Sequence, residues 1–309
     1  MKNKQASKEV LMIQPCRFNY NEQTALNNPY QHQDQRPNQE IQARALEEFQ
    51  AFAQALKDQG LTVHIFQDTD LIPTPDSIFP NNWFSTHAGG HLAVYPMFAK
   101  NRQAEVDKFL PALEALLLQD LPADSIYRKT DYRNNLEKGL CLEGTGSMVL
   151  DRVNKIAYCA LSPRSHLDLF ETFCRDFGYE PMAFQAYQHH HPIYHTNILM
   201  TVTSNQALIC LDAIAEEDRD RIRSKLEATG HTLIPLSFNQ IDACAGNSLE
   251  LLGKDDQSFQ VFSKAAYDAL LPEQIQQIEK TRPILVADIP TIEFYGGGSV
   301  RCMLAEIFR

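Results

Sequence analysis

Cys302, His195 and Glu143 are residues of the types that nucleophilic cysteine chemistry requires. Cys302 follows a run of glycines, His195 begins the segment HTNILM, and Glu143 lies in the segment LEGTGS. A thiolate can attack an electrophilic carbon, and an imidazole can transfer the accompanying proton. Amides that could contact a substrate occupy comparable places elsewhere, at Asn81, Asn82 and Asn247. This set of side chains predicts an enzyme with a nucleophilic cysteine.

Each of these residues also has a purely structural interpretation. Cys302 could be a core cysteine, Glu143 a solvated carboxylate at a strand end, and His195 a structural histidine before an apolar run. Arg301, next to the thiol, would favour a thiolate if its side chain turned the same way. We favour the catalytic interpretation because these residues lie at equivalent points of a repeat.

The other cysteines and a run of histidines are interpreted as structural. Seven cysteines occur without a CxxC pair, which favours a reducing cytoplasm and argues against a disulfide framework or a thiolate zinc site. The run His189–His191 is predicted to be a loop, because adjacent histidines point in different directions and no acidic partner follows at metal-ligand spacing. We therefore predict no metal and no organic cofactor. The cysteines expected in the core are Cys16, Cys141, Cys159, Cys174, Cys210 and Cys244.

The candidate residues lie at points that recur along the chain. Thr145, His195, Gly246 and Gly297 are separated by 50, 51 and 51 residues. Four stretches read as β-hairpins, with turns at 89–90, 151–155, 203–206 and 253–257. Three further stretches read as a helix and then a strand, joined at Gly60, Gly178 and Gly230, where a helix end needs a left-handed residue.

A fixed period of this length predicts modules of hairpin, helix and strand, repeated around an axis or along a line. The segment PNNW at 80–83 would open an earlier module, and the amino-terminal strand LMIQP would complete the last. We predict about five α/β modules in a single domain over residues 1–309, because no linker rich in Pro, Gly or Ser divides the chain. The alternative is a mixed α/β domain with accidental spacing.

Composition limits the classes of partner. The chain has 309 residues, of which 44% are hydrophobic and 22% charged, and a net charge of −11. An acidic chain without a basic block lacks the electrostatic footprint for nucleic acid or an anionic membrane. No apolar run reaches the roughly 18 to 20 residues that span a bilayer, and the first residues are too polar for a signal peptide. We expect a small-molecule substrate and no nucleic-acid or membrane partner, and the sequence leaves open whether the chain forms a homo-oligomer.

The sequence resembles the guanidino-group-modifying enzymes, which comprise arginine deiminases, dimethylarginine dimethylaminohydrolases and amidinotransferases. The segments that carry the resemblance are GGGSVRCM, LEGTGS, HTNILM and DSIFPNNW, and the likeness extends over nearly the whole chain. It is most similar to the branch called citrulline-utilisation hydrolases, often labelled amidinotransferases. The resemblance implies the pentein fold, a five-module α/β propeller, which agrees with the number of modules inferred from spacing.

The resemblance also implies roles for individual residues. Cys302 would be the nucleophile, His195 the acid–base group and Glu143 a ligand of the substrate head. The segments YPMFAKNR and LSPRS match segments with carboxylate-binding arginines, which implies Arg102 and Arg164. Their alternative role is a surface salt bridge. Further predicted substrate contacts, some of which could instead cap loops, are Asn82, Asp76, Asn197 and Asn247.

Two departures from the family pattern bear on the substrate. Deiminases place an aspartate against the guanidinium where this chain has Asn82, and a His-x-Asp segment where it has Asn197. An asparagine amide can donate to the carbonyl oxygen that a ureido group has and a guanidinium lacks. The departures favour hydrolysis of citrulline, through an S-carbamoyl enzyme, to ornithine, ammonia and carbon dioxide. The alternatives are an arginine deiminase, an amidinotransferase, and a non-catalytic pentein that acts by binding.

Overall fold

The computed structural model describes residues 4–119, 121 and 125–309, which form five three-stranded sheets and one two-stranded sheet. Grouped by sheet, the strands are β1 (Glu9–Gln14), β2 (Thr62–Gln67) and β17 (Ala305–Glu306); β3 (Phe84–His87), β4 (His91–Val94) and β5 (Arg128–Asp131); β6 (Met148–Asp151), β7 (Ile156–Ala160) and β8 (Glu180–Phe184); β11 (Met200–Val202), β12 (Gln206–Ile209) and β13 (Thr232–Pro235); β14 (Leu249–Leu252), β15 (Ser258–Ser263) and β16 (Ile284–Ala287); and the short pair β9 (Tyr187–Gln188) and β10 (His191–Pro192).

Helices connect these strands or precede them. The α-helices are α1 (Glu22–Ala25), α2 (Asn38–Asp58), α3 (Lys100–Gln119), α4 (Gly144–Ser147), α5 (Leu167–Phe177), α6 (Glu216–Ala228), α7 (Phe238–Asp242), α8 (Lys264–Ala269), α9 (Pro272–Glu279) and α10 (Pro290–Gly296). Short 3₁₀ helices span Pro80–Asn82, Arg133–Lys138, Thr196–Ile198, Leu211–Ala213 and Lys254–Asp256.

All five three-stranded sheets share one construction. In β6–β8, for example, β6 pairs antiparallel with β7, and β7 pairs parallel with β8 after the chain has passed through α5. The fifth sheet joins the two ends of the chain, because β17 pairs antiparallel with β1 and β1 pairs parallel with β2. The predicted hairpins and the closing role of the amino-terminal strand are confirmed.

The crossover helices form where the apolar spacing predicted them. In α2 the buried side chains Ile41, Ala45, Phe49, Phe52 and Leu56 form one stripe. The glycines that follow α2, α5 and α6 have φ angles of 92°, 68° and 83°, as a left-handed helix end requires. The resulting fold is a mixed α/β structure, in which no helix of the described residues has the length and apolarity that crossing a membrane requires.

Two local expectations need correction. Gly296–Gly298 do not open a hairpin directly: they end α10, and a turn that contains Cys302 follows before β17, which has only two residues. Cys16 and Cys244 are only partly buried, whereas the other four cysteines predicted to be in the core are buried.

The histidine run forms the tip of the β9–β10 hairpin, with φ angles of 50° at His189 and 67° at His190.

Hydrogen bonds join neighbouring three-stranded sheets, either directly or through the turns that precede them. Such a bond also joins the last sheet along the chain to the first. Thr196 Oγ1 donates to Ser147 O at 2.5 Å, and Thr201 Oγ1 donates to Ser248 O at 2.6 Å. Thr86 Oγ1 in β3 donates to Glu306 O in β17 at 2.9 Å. These bonds bring together the turns that precede β3, β6, β11 and β14. In sequence, the turns before β6, β11 and β14 are about 50 residues apart.

Candidate active site

Predicted site residues from distant segments meet around two cavities that share Cys302. One small cavity, of about 20 Å³, is lined by six of them: Asp76, Asn82, Arg102, Arg164, His195 and Cys302. The second, of about 10 Å³, is lined by Cys302 together with Asn197 and Asn247. Glu143 is buried directly behind His195. The structure therefore brings together all nine predicted residues.

Glu143 orients His195. Its Oε2 accepts a hydrogen bond from His195 Nε2 at 2.8 Å, and its Oε1 accepts one from the backbone N–H of Phe98 at 2.9 Å. Because the ionised carboxylate is an acceptor only, the neutral imidazole carries its proton on Nε2, which leaves Nδ1 as the basic nitrogen. Ser147 Oγ accepts the Glu143 backbone N–H at 2.8 Å and so fixes the carboxylate's attachment point.

Burial and charge set the protonation of this pair. Burial lowers the pKa of His195 to about 4, although the hydrogen bond to Glu143 acts in the opposite direction. Burial alone would raise the pKa of Glu143, but the Arg164 guanidinium and the His195 hydrogen bond hold it below its ordinary value. At neutral pH the pair is an ionised carboxylate beside a neutral imidazole, which can accept a proton from a thiol.

Gly146 in α4 allows Asn82 and His195 to approach the same point. A Cβ atom at residue 146 would lie 2.3 Å from Asn82 Nδ2 and 2.8 Å from His195 Nδ1, closer than real Cβ atoms come. A Cβ at Gly144 would lie 2.4 Å from the carbonyl oxygen of Asn81. The segment LEGTGS therefore contributes two positions where the site requires that a side chain be absent.

Arg102 orients the Asn82 amide. Arg102 Nη1 donates to Asn82 Oδ1 at 2.6 Å, and a guanidinium has no acceptor, so the amide oxygen must face it. Asn82 Nδ2 then points away, and it has no hydrogen-bond partner among the described residues. Glu105 oxygens lie 2.9 Å from Arg102 Nε and Nη2, and Phe79 O lies 2.8 Å from Nη2. The bidentate pair with Glu105 already neutralises Arg102, so we reinterpret this predicted carboxylate ligand as a residue that positions Asn82.

Arg164 remains suited to the role predicted for it. Its side chain is 3% exposed, which excludes a surface salt bridge, and its Nη1 lies 3.4 Å from Glu143 Oε2. Its Nε donates to Asn27 Oδ1 at 2.9 Å, and its Nη2 donates to the same oxygen and, at 3.0 Å, to Thr24 O. Its guanidinium carbon lies 4.6 Å from the ring centroid of Tyr194. These contacts hold a buried cation at the cavity wall, where an anionic group of a ligand could bind.

Asp76 presents one free oxygen. Its Oδ2 accepts hydrogen bonds from Asn21 Nδ2 at 2.7 Å and Thr24 Oγ1 at 3.0 Å, whereas its Oδ1 has no partner within the described part of the chain. Burial raises the pKa of Asp76, although the Arg102 charge opposes this shift. A buried polar atom without a partner is costly, so Oδ1 is suited to accept a donor from a ligand.

The Cys302 sulfur is surrounded by amides. Asn247 Nδ2 lies 3.3 Å from Sγ, and Asn197 Nδ2 lies 3.7 Å from it. Asn197 Oδ1 has no hydrogen-bond partner among residues that the structure describes. Arg301 does not supply the expected charge at the sulfur, because its guanidinium donates to Leu304 O at 2.9 Å and to Glu306 at 3.0 Å.

The three glycines before Cys302 have different functions. Only Gly297, with φ 59°, needs the left-handed region. A Cβ atom at Gly296 or Gly298 would lie 2.7 or 2.9 Å from the ring of Phe79, so these two glycines permit the aromatic ring to pack on the loop. A Cβ atom at Gly297 would also lie 2.7 Å from Asn28 Nδ2, so the run reflects close packing at all three positions and a backbone requirement at Gly297.

Sequence reasoning missed the segment at 21–31, which covers one wall of the site. Asn28 Nδ2 donates to Gly297 O at 3.4 Å, and Gln31 Nε2 donates to Tyr295 O at 3.1 Å. The segment is rich in Asn, Gln and Thr, a composition that ordinarily indicates an exposed loop. This richness in polar side chains is the feature of the sequence that could have indicated a role in the site. The four buried polar side chains are Asn21, Thr24, Asn28 and Gln31.

The histidine run lies at a separate, outer cavity. His189 and His191 line a space of about 330 Å³, and His189 Nε2 lies 3.3 Å from Asp242 Oδ2. Over residues 4–119, 121 and 125–309, no group of three or more His, Cys, Asp and Glu side chains is arranged to hold a metal ion.

A family model matches almost the whole chain. Residues 14–309 match the model described as N,N dimethylarginine dimethylhydrolase, eukaryotic. No protein of curated function matches the sequence.

Solved structures share the fold at low sequence identity. The N-terminal domain of ArgZ, an arginine dihydrolase from the ornithine–ammonia cycle in cyanobacteria, is 14% identical with a TM-score of 0.74, over 97% of this chain and 98% of that one. AgrE in complex with L-arginine is 18% identical with a TM-score of 0.75, over 97% of this chain and 40% of that one. A dimethylarginine dimethylaminohydrolase adduct with S-methyl-L-thiocitrulline is 13% identical with a TM-score of 0.63, over 97% of this chain and all of that one. The chain spans 41% of whole ArgZ, and identities this low show likeness of fold alone.

We predict that Gly146→Ala abolishes function. The added methyl would separate Asn82 from His195, so turnover should fall at least a hundredfold, and overpacking should cost about 1–3 kcal/mol of unfolding free energy. Steady-state kinetics and urea unfolding measure the two effects. The control is Gly139→Ala, where no atom lies within 4 Å of the new Cβ and φ is 71°. It should cost about 1 kcal/mol of stability and leave turnover intact. Wild-type turnover in Gly146→Ala would show that the close approach is dispensable.

The buried His195 should make stability depend on pH. Its folded pKa of about 4 lies below the ordinary value of 6.5 for histidine, so the unfolded chain binds the proton first as the pH falls. Its stabilising contribution is complete above about pH 6.5 and is lost as the pH falls toward about 4. Between about pH 7 and 5 the wild-type unfolding free energy should therefore fall about 2 kcal/mol more than that of His195→Gln. Urea unfolding at several pH values measures this, and equal pH dependences would contradict the assignment.

Proposed function

Because the chain belongs to the N,N dimethylarginine dimethylhydrolase family, within the guanidino-group-modifying pentein superfamily, we propose that it is a cysteine-dependent hydrolase of an arginine-like amino acid. The proposed substrate is citrulline, and the products are ornithine and carbamate, which decays to ammonia and carbon dioxide.

We also propose one propeller domain of five modules over residues 1–309, which the hydrogen bonds between successive sheets support. The seven free cysteines support a reducing cytoplasm as its location.

The observation that carries the proposal is a pair of unpartnered amide groups. Asn82 Nδ2 is a buried donor, and Asn197 Oδ1 is a buried acceptor, and both residues line cavities that contain Cys302. A ureido group offers one carbonyl acceptor and several N–H donors, so it can satisfy both. Because buried polar groups are costly when unpaired, the two amides select a ligand that has both functions.

A guanidinium fits this arrangement less well. It carries donors only, so it would leave Asn82 Nδ2 facing another donor. Asn82 also stands where deiminases have an aspartate. The charge-assisted hydrogen bond of that carboxylate would stabilise a cation by roughly 1.5–3 kcal/mol. Arg102 reinforces the preference, because it keeps the Asn82 oxygen turned away from the cavity.

In the first half-reaction, Cys302 loses its proton to Nδ1 of His195, and the thiolate attacks the ureido carbon. Asn82 Nδ2 donates to the ureido oxygen as negative charge develops there. The imidazolium, stabilised by Glu143, then protonates the departing nitrogen. The C–N bond breaks, ornithine departs, and an S-carbamoyl group remains on Cys302.

In the second half-reaction, neutral His195 accepts a proton from water as the water oxygen attacks the S-carbamoyl carbon. The C–S bond breaks, carbamate leaves, and the proton on His195 returns to the sulfur. No metal or organic cofactor enters these steps, because the thiolate forms the covalent bond.

Arg164 and Asp76 would bind the amino-acid end of the substrate. Arg164 supplies a buried guanidinium for an α-carboxylate, and the free Oδ1 of Asp76 supplies an acceptor for an α-ammonium group. Arg102 is not assigned this role in our scheme, because a bidentate pair with Glu105 neutralises it, whereas the contact of Arg164 with Glu143 is 3.4 Å long.

The main alternative is an enzyme that uses arginine. The same residues would first expel ammonia and give citrulline, as in a deiminase, or would hydrolyse citrulline in turn, as in a dihydrolase. The buried Glu143 carboxylate and the likeness to ArgZ, an arginine dihydrolase, favour this alternative. An amidinotransferase would require an acceptor amine to react before water does. A binding protein without catalysis would have no need for a thiol, an imidazole and a carboxylate at one place.

Product analysis distinguishes these activities. We expect purified enzyme to convert citrulline to ornithine with one ammonia per ornithine, measured by liquid chromatography with mass spectrometry and an ammonia assay. Cys302→Ser should abolish turnover with little change in melting temperature, because a hydroxyl is close in size to the buried thiol and can accept the Asn247 amide in its place. Arginine consumed faster than citrulline would contradict the substrate assignment. Release of two ammonia per ornithine would then identify a dihydrolase, and accumulation of citrulline a deiminase.

Asn82→Asp should weaken the preference for a neutral head. Losing the donor and adding a charge near the ureido oxygen should lower kcat/KM for citrulline by tens to hundreds of fold, or about 2–4 kcal/mol. Arginine should bind more tightly, which calorimetry with the Cys302→Ser background can measure. Asn134→Asp is the matched control, because it adds the same charge at an exposed position of the 3₁₀ helix Arg133–Lys138 and does not line the cavity. Unchanged relative affinities in Asn82→Asp would show that Asn82 does not contact the head.

A further inference from the structure

The hydrogen-bond donors at the Cys302 sulfur come from residues distant in sequence and not from the neighbouring Arg301. Asn247 Nδ2 is the nearer donor at 3.3 Å, and Asn197 Nδ2 is more distant at 3.7 Å. Asn247 lies 55 residues from Cys302 in sequence, on the turn before β14, and is 3% exposed. A loop-capping residue would have its side chain on its own backbone, whereas this amide contacts the sulfur.

Asn247 is held so that its NH₂ group must face the sulfur. Its Oδ1 accepts the backbone N–H of Arg301 at 3.0 Å, from the residue just before the cysteine. Its Nδ2 also lies 3.3 Å from Asn197 O, so the two amide hydrogens have one acceptor each. The amide therefore ties the turn of Cys302 to the turn before β14 and presents a fixed donor.

The backbone that carries Asn247 cannot shift easily. A Cβ atom at the preceding Gly246 would lie 2.2 Å from the carbonyl oxygen of Ile198, so this turn is packed against the 3₁₀ helix that follows His195. The backbone N–H of Asn247 donates to Cys244 O at 2.8 Å. The distance between the amide and the sulfur is thus set by packing.

We propose that Asn247 is a catalytic residue whose side-chain amide stabilises the Cys302 thiolate and aims the sulfur at the substrate carbon. Cys302 is 7% exposed, and a buried anion is costly unless hydrogen bonds stabilise it. Arg301 does not supply this donor, since it is paired with Glu306, and His195 carries no charge until the thiol proton reaches it, so the Asn247 amide is the donor already in place before proton transfer. The proposal rests on the proposed function only in taking Cys302 as the nucleophile.

The same donor acts at both ends of the reaction. It stabilises the thiolate after the thiol proton has passed to His195 and before the C–S bond forms. It stabilises the thiolate again when the C–S bond breaks and carbamate leaves. Asn197 contributes less, because its donor is 0.4 Å farther away, and its free oxygen remains available to the substrate.

Asn247→Asp separates this role from a structural one. One carboxylate oxygen can still accept the Arg301 N–H, but the other faces the sulfur as an acceptor. The rate of Cys302 alkylation by iodoacetamide at neutral pH, followed on the Cys302 peptide by mass spectrometry, should fall at least tenfold, an effect typical of losing a hydrogen bond to an anion. The kcat for the enzyme's substrate should fall similarly, with KM changed less than about threefold.

Controls make the result interpretable. Asn239→Asp adds the same charge at an exposed position of α7 and should leave alkylation and kcat at wild-type values. Asn247→Ala removes the donor without adding a charge and should also slow alkylation, with folding checked by circular dichroism. Wild-type alkylation in folded Asn247→Asp or Asn247→Ala would overturn the proposal. Because alkylation needs no substrate, slow alkylation in an enzyme that ignores citrulline would refute the proposed substrate and leave this inference standing.

Discussion

The ionised, buried carboxylate of Glu143 is the group on which the rest of the site depends. A buried carboxylate is stable only when donors surround it, and here the donors are His195, the backbone of Phe98 and Arg164. Each donor fixes another part of the site. His195 acquires a defined tautomer, and Arg164 binds Thr24 O and so attaches the segment at 21–31 to the cavity wall.

A second physical device recurs at Asn82 and Asn247. In each case a donor occupies the amide oxygen, from Arg102 in one and from the Arg301 backbone in the other, so the NH₂ group must face the reaction centre. A charged residue could not be used in this way, because a carboxylate has no donor and an ammonium or guanidinium has no acceptor. Fixed neutral amides suit an enzyme that must bind a neutral carbonyl and a thiolate.

The placement of these residues follows from the modules. Turns that precede the first strands of successive sheets carry Asn82, Glu143, His195 and Asn247, and the turn before β17 carries Cys302. Hydrogen bonds between neighbouring turns, such as Thr196 Oγ1 to Ser147 O at 2.5 Å, hold the turns in register. The shared fold with ArgZ and a dimethylarginine dimethylaminohydrolase is consistent with this placement, and differences among the turn residues could alter the chemistry without altering the scaffold.

The hairpins and the crossover helices could be predicted from sequence, because alternation and helical spacing are local signals. The period of about 50 residues identified the candidate residues at the module openings, and the family resemblance implied Arg102 and Arg164. The contacts of the side chains could not be predicted. Arg102 resembled a carboxylate ligand, but it contacts Asn82, since the bidentate pair with Glu105 fixes its orientation. Gln31 and Asn28 had the composition of a solvated loop, yet they are buried because carbonyl oxygens of the glycine-rich turn accept their donors. Whether a polar side chain faces solvent, another residue or a ligand depends on partners distant in the chain, and only the tertiary structure determines those partners.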